Sequence, residues 1–200
     1  MTRIKLCGLS RECDIEAVNE IKPEYIGFVF AKKSKRYVTF ETAAKLKVKL
    51  DDSIKAVGVF VDEAPDEIKS CVKVGAIDIV QLHGSEDNQF IRNLRAIVNV
   101  PIIKAITIAS ADDLANVNES AADYVLLDSG AGTGVSFDWS LLSNIERPYF
   151  LAGGLDCTNA ALAVKKLHPY AVDVSSGIET DGVKDKNKMT EFVLNVRAEQ

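Results

Sequence analysis

Short apolar runs alternate with amphipathic stretches along the whole of this chain. The runs are Ile4–Cys7, Tyr25–Phe30, Ala56–Val61, Ile77–Leu82, Ile102–Ile106, Tyr124–Leu127, Tyr149–Leu151 and Ala171–Val174. Most are near-continuous in branched or aromatic side chains, which is the pattern of parallel strands covered on both faces. The stretches between them carry helical spacing and helix start signals. Ser10 opens a helix through about Ile21, Thr39 or Phe40 precedes one over Glu41–Leu50, and Pro65-Asp66-Glu67 begins one reaching Val74. Ser85-Glu86-Asp87 leads into Asn88–Ile97, and Ser110-Ala111-Asp112-Asp113 into Leu114–Asn118. Asp138-Trp139-Ser140 begins a short sixth helix, Asp156 or Thr158 the seventh, and Lys186–Arg197 is the last.

Eight strands in strict alternation with helices predict an α/β fold, a (β/α)8 TIM barrel. No Pro/Gly/Ser-rich linker interrupts the pattern, so residues 1–200 read as one domain with near-minimal loops. A doubly wound open sheet is the alternative. It calls for a glycine-rich phosphate loop after the first strand, and only Gly8 stands there.

Composition narrows the function classes. The net charge is −5 and the basic residues are dispersed, which argues against a nucleic-acid partner, whose surface needs a basic stripe. No stretch approaches the roughly 20 apolar residues of a membrane span. Thr2, Arg3 and Lys5 interrupt any leader-like apolar region, so a cytoplasmic protein without a membrane partner is expected. Cys7, Cys13, Cys71 and Cys157 are scattered and read as free thiols. The triplet Asn118-Glu119-Ser120 is a chance match to a glycosylation site. No zinc-ligand spacing joins His83 or His168, the only histidines, to a cysteine, so a zinc site is not expected.

In a barrel, the C-terminal tips of the strands face one shared mouth where chemistry is done. Cys7, Arg36, Asp62, Gln81, His83, Asp128, Gly153-Gly154, Asp173 and Ser175-Ser176-Gly177 fall at those tips or in the loops behind them. Cys7 reads either as a small buried hydrophobe or as a base or nucleophile. In the second case Gly8 lets substrate approach, and Arg36 or Lys5 supplies the positive charge a thiolate needs. Cys13, Cys71 and Cys157 keep the structural reading. Asp128 ends an apolar strand, where it either caps a turn or serves as a general acid whose pKa is raised by desolvation. The glycines and serines after strands 7 and 8 suit a phosphate cradle of backbone N–H groups, making a phosphorylated small molecule the expected ligand. Arg36 suits bidentate capture of a carboxylate. Gln81, His83 and Asp173 are expected to contact the same substrate. Gly130–Gly134 fails the dinucleotide spacing and reads as a substrate loop, while His168 before Pro169 reads as structural.

Taken together, these motifs resemble one family. Lys5-Leu6-Cys7-Gly8, Gly27-Phe28-Val29-Phe30, Ser34-Lys35-Arg36-Tyr37, Val57–Val61 and Gln81-Leu82-His83-Gly84 occur in order. They are followed by Leu127-Asp128, Gly132-Thr133-Gly134, Phe137-Asp138-Trp139, Ala152-Gly153-Gly154-Leu155 and Asp173–Glu179. This set is similar to the phosphoribosylanthranilate isomerases of tryptophan biosynthesis, from residue 3 to about residue 195. The resemblance implies a cofactor-free Amadori rearrangement. It implies Asp128 as general acid, Cys7 as general base, Arg36 on the anthranilate carboxylate, and the loops at Gly153-Gly154 and Ser175–Gly177 on the phosphate. Ala131 departs from the family's usual loop and puts its mobility in question. Of the related phosphosugar barrels, the histidine-pathway isomerase would carry Asp where this chain has Cys7. Indole-glycerol-phosphate synthase would need a lysine acid that the strand tips lack. A catalytically silent barrel subunit is the remaining alternative, and either a monomer or a homodimer is compatible with the sequence.

Overall fold

The computed structural model describes residues 1–108, 113–128, 142 and 145–199. Strands β1 (Arg3–Cys7), β2 (Tyr25–Val29), β3 (Lys55–Phe60), β4 (Ile79–Leu82), β5 (Ile102–Thr107), β6 (Tyr124–Asp128), β7 (Tyr149–Ala152) and β8 (Ala171–Val174) form a closed parallel barrel in chain order. Closure is made by β1, which pairs with both β2 and β8. The described helices are α1 (Glu12–Ile21), α2 (Phe40–Val48), α3 (Pro65–Lys73), α4 (Asn88–Arg95), α5 (Asp113–Asn118), α6 (Ala160–Leu167) and α7 (Lys186–Ala198). The (β/α)8 architecture is the one the strand pattern predicts. None of these helices is long and apolar enough to cross a membrane.

Side chains of a strand alternate between its two faces, and here both faces are buried. Ile4, Leu6, Ile26, Phe28, Val80 and Leu82 belong to the large cluster shared with the helices. Tyr25, Val57, Ile79, Ile103, Leu126 and Phe150 form a separate cluster of strand residues alone, filling the barrel. That is why the strands read as continuous apolar runs. The inward set also contains Lys5, Gln81 and Asp173, buried polar residues two positions from, or paired across from, apolar members of that cluster. Cys7 and Asp128 continue the same parity to the mouth.

Local signals explain most boundaries. Thr39 accepts from the Thr42 amide, Asp87 from Phe90, and Asp185 from Asn187 and Lys188, satisfying amides that a helix start leaves unpaired. Two starts differ from expectation. Arg11, not Ser10, occupies the first cap, and the Asp14 carboxylate accepts both the Ser10 and Arg11 amides. Asp156 makes a turn with Thr158 and Asn159 instead of opening the helix, so α6 begins at Ala160. Val61 falls outside β3 and is 44% exposed, and β4 begins at Ile79 rather than Ile77. The expected start Ser110–Asp112, the Gly130–Gly134 loop and the Asp138–Ser140 helix start lie outside the described residues.

One element was not anticipated. After β8, β9 (Glu179–Thr180) and β10 (Val183–Lys184) form an antiparallel hairpin. Its turn is Asp181-Gly182, with φ of 52° and 77°. Positive φ at both central residues is what a two-residue I′ turn requires, and Asp-Gly is among its preferred sequences.

Candidate active site

Cys7 ends β1 in register with Gly27 of β2. A Cβ on Gly27 would lie 2.6 Å from the Cys7 Sγ, so only glycine leaves the thiol its place. Two residues back, Lys5 is fully buried, and its Nζ donates to Asp173 Oδ1 at 2.9 Å directly across the β1–β8 register. The Lys5 ammonium also acts electrostatically on the Cys7 side chain two residues on. Burial opposes its charge, but Asp173 and Cys7 prevail and hold its pKa above the ordinary lysine value. Burial pushes the Cys7 thiol up, and Lys5 and Lys184 pull it down without reversing the shift. The resting group is therefore a thiol held beside a permanent ammonium.

Asp128 ends β6, and His83 follows β4. The His83 Nε2 stands 3.4 Å from Asp128 Oδ2, while its Nδ1 is 2.9 Å from the Gln81 Nε2. An amide Nε2 can only donate, so it assigns the acceptor role to Nδ1 and the ring proton to Nε2, facing Asp128. Gln81 is 1% exposed, and its Oε1 has no hydrogen-bond partner among the described residues. A buried polar atom left unmatched is costly, so this oxygen is ready for a donor arriving in the mouth.

Arg36 lies in the turns after β2, with its amide on Ser34 Oγ. Its Nε and Nη2 donate to Glu179 Oε1 and Oε2 at 2.6 and 2.7 Å. Lys184 donates to the same Oε1 at 2.6 Å and to the Ser175 carbonyl at 2.8 Å. Although burial opposes it, the hydrogen bonds from Arg36 and Lys184 hold the Glu179 carboxyl below its usual range. A Cβ on Gly8 would lie 2.4 Å from the Arg36 Cδ. The space expected for substrate at Gly8 is thus occupied by the arginine stem.

The loops after β7 and β8 meet. Gly153 and Gly154 have φ of 86° and 67°, and Asp156 and Gly177 form an isolated bridge. A Cβ on Gly177 would lie 2.0 Å from the Leu155 carbonyl oxygen, so the approach depends on glycine. Gly154 faces open space. The Ser175 hydroxyl donates to the Cys7 carbonyl at 3.2 Å and accepts from Lys184. It ties β8 to β1. Asp62 is a loop tie, accepting from the Ser85 amide and hydroxyl. His168 is the left-handed cap of α6, as its place before Pro169 suggests.

The predicted residues therefore gather into three contacts: Cys7 with Asp173 through Lys5, Gln81 with His83 and Asp128, and the two glycine loops with each other. Arg36 joins them through Glu179 and Lys184, to which sequence reading gave no site role. The Asp-Gly turn between those two residues was the available signal.

Residues 4–195 match the model of the N-(5'phosphoribosyl)anthranilate (PRA) isomerase family. This chain belongs to that family. It is 46% identical over 203 residues to the N-(5'-phosphoribosyl)anthranilate isomerase of Endomicrobium trichonymphae, covering 99% of this chain and 100% of the relative. The crystal structure of the Thermotoga maritima phosphoribosyl anthranilate isomerase superposes with a TM-score of 0.89 at 34% identity, covering 99% of this chain and all of the other. A phosphoribosyl anthranilate isomerase bound to reduced 1-(o-carboxyphenylamino)-1-deoxyribulose 5-phosphate gives 0.88 at 34% identity with the same coverage. As a phosphoribosylanthranilate isomerase family member spanning the full length of its relatives, the chain is an enzyme of tryptophan biosynthesis.

Proposed function

We propose that the barrel mouth carries out the Amadori rearrangement of N-(5'-phosphoribosyl)anthranilate with Asp128 as general acid and Cys7 as general base. Asp128 gives its proton to the furanose ring oxygen as the C1′–O bond breaks, and the nitrogen lone pair forms the C1′=N Schiff base. The positive nitrogen acidifies C2′–H. Cys7, as thiolate, takes that proton, and the C–H electrons form the C1′=C2′ bond of an enolamine. Proton transfer from the C2′ hydroxyl and to C1′ completes the ketone.

The buried Lys5 ammonium beneath Cys7 is the observation that carries this reading. A thiol withdrawn from water resists ionisation, and a fixed neighbouring cation makes the anion attainable. At the other pole, the Gln81–His83 relay presents an N–H toward Asp128 and fixes one of its oxygens. Arg36 receives the anthranilate carboxylate, and Gly153, Gly154, Ser175, Ser176 and Gly177 receive the phosphate, with backbone N–H groups supplying most of the donors. Asp173 acts on the substrate side by keeping Lys5 charged and in place. The reaction is set in the cytoplasm.

Turnover can be followed by the loss of substrate fluorescence. Cys7→Ala and Asp128→Asn are each expected to lower kcat by about 10²–10⁴-fold, the usual worth of a positioned acid or base, while KM changes little. Near-native kcat in either variant would remove that residue from the mechanism.

A further inference from the structure

Arg36 offers two edges to anions, and among the described residues only one is taken. A guanidinium holds five N–H donors in a rigid plane. Glu179 accepts from Nε and Nη2, along the side edge. The end edge, formed by Nη1 and the second Nη2 hydrogen, is left for another fork-shaped acceptor.

We infer that Glu179 is a positioning residue for substrate recognition: it clamps the side edge of Arg36 so that the end edge is presented to the substrate carboxylate. This rests on the proposed role of Arg36. Four observations support it. The Glu179 side chain is 8% exposed and sits between two cations, Arg36 and Lys184, so the cluster keeps one net positive charge for an incoming anion. The hairpin carrying both residues is anchored, with Lys184 on the Ser175 carbonyl and Lys188 Nζ on the Glu179 carbonyl at 2.7 Å. The arginine stem lies where any side chain at Gly8 would collide with it. Ser175, which Lys184 grips, opens the glycine–serine loop after β8, so one hairpin holds both the carboxylate end and the phosphate end of the proposed site. An arginine fixed beforehand loses less freedom on binding, which strengthens capture without altering the chemical step.

The test compares N-(5'-phosphoribosyl)anthranilate with N-(5'-phosphoribosyl)aniline, which lacks the carboxylate. Glu179→Gln is expected to raise KM for the carboxylated substrate roughly 10-fold, the effect of losing one charged clamp, with kcat little changed. Its effect on kcat/KM for the aniline compound, which engages only the Lys184 side of the cluster, should be several-fold smaller. Glu179→Asp, which retains the charge Lys184 needs but shortens the reach to Arg36, should show the same selective rise. In an Arg36→Met background, Glu179→Gln should add no more than that smaller effect. If Glu179 instead competes with substrate, KM falls in Glu179→Gln, and the inference fails. Equal losses on both compounds would make Glu179 a structural residue and also overturn it. If Arg36→Met itself does not discriminate between the two compounds, the carboxylate role of Arg36 falls, and the Glu179 role falls with it. Selective loss in Arg36→Met alone would leave the Arg36 role standing and remove only Glu179.

Discussion

The Cys7 thiol is 8% exposed and bordered by charge on several sides: Lys5 on its own strand, Asp173 on β8, Lys184 on the hairpin, and Arg36 after β2 in its pair with Glu179. Burial dominates, so the folded pKa lies above the ordinary thiol value of 9.0. A base must be deprotonated to act, and a raised pKa leaves only a small thiolate fraction at neutral pH. The thiolate fraction of Cys7 itself is therefore expected to rise only at alkaline pH, with its midpoint above 9.0. The pH dependence of thiolate absorbance, taken as the difference between the native protein and Cys7→Ala, checks this, and a Cys7 titration complete below pH 8 would contradict it. Much at this scale was legible in the sequence. A thiol at a strand tip and a carboxylate closing an apolar run are both visible in one strand, and Lys5 was a candidate for the nearby charge. Asp173 as its partner was not legible, because the two residues are separated by 168 positions and meet only through barrel closure.

Among the elements, the contact between the loops after β7 and β8 is the most demanding. The Leu155 carbonyl sits where a Gly177 Cβ would be, at 2.0 Å, and a backbone neighbour cannot swing away as a side-chain tip can. Gly177→Ala is expected to part the two loops and raise KM more than it lowers kcat, since the proposed phosphate grip is remote from the bonds that change. Kinetics on the purified variant test this, and unchanged KM would show that the loops do not form the cradle. The glycine pairs and serines announced these loops. Asp181-Gly182 likewise announced a turn, but the strands it joins are two residues each, too short for an alternation pattern to register. The helix starts at Ser10 and Asp156 were misread for a related reason. A capping residue and a turn residue carry the same short polar side chain, and only the backbone that follows tells them apart.

At the scale of the molecule, the charged pair Lys5–Asp173 and the amide of Gln81 stand inside a barrel filled mainly by apolar side chains among the described residues. Taking one partner from a buried pair leaves the other uncompensated, at about 3–5 kcal/mol. Lys5→Met is expected to lose stability on that order in urea unfolding. Lys5→Met/Asp173→Leu should recover most of it, since apolar replacements of similar size are often neutral. Activity should not return with stability in the double variant, because the cation beside Cys7 is still gone. Recovery of both would reduce the pair to packing. The barrel itself was the most legible feature, since eight doubly covered strands leave continuous apolar runs. The inward parity of Lys5, Gln81 and Asp173 was hidden in those same runs, because a strand buried on both faces does not reveal which side is the interior. The division of labour between acid and base is the central claim, and the primary isotope effect with substrate deuterated at C2′ tests it most directly. In Cys7→Ala, proton abstraction should limit the residual rate and the isotope effect should be large. In Asp128→Asn, ring opening should limit it and the effect should vanish. The reverse pattern, a large effect in Asp128→Asn and none in Cys7→Ala, would contradict the assignment.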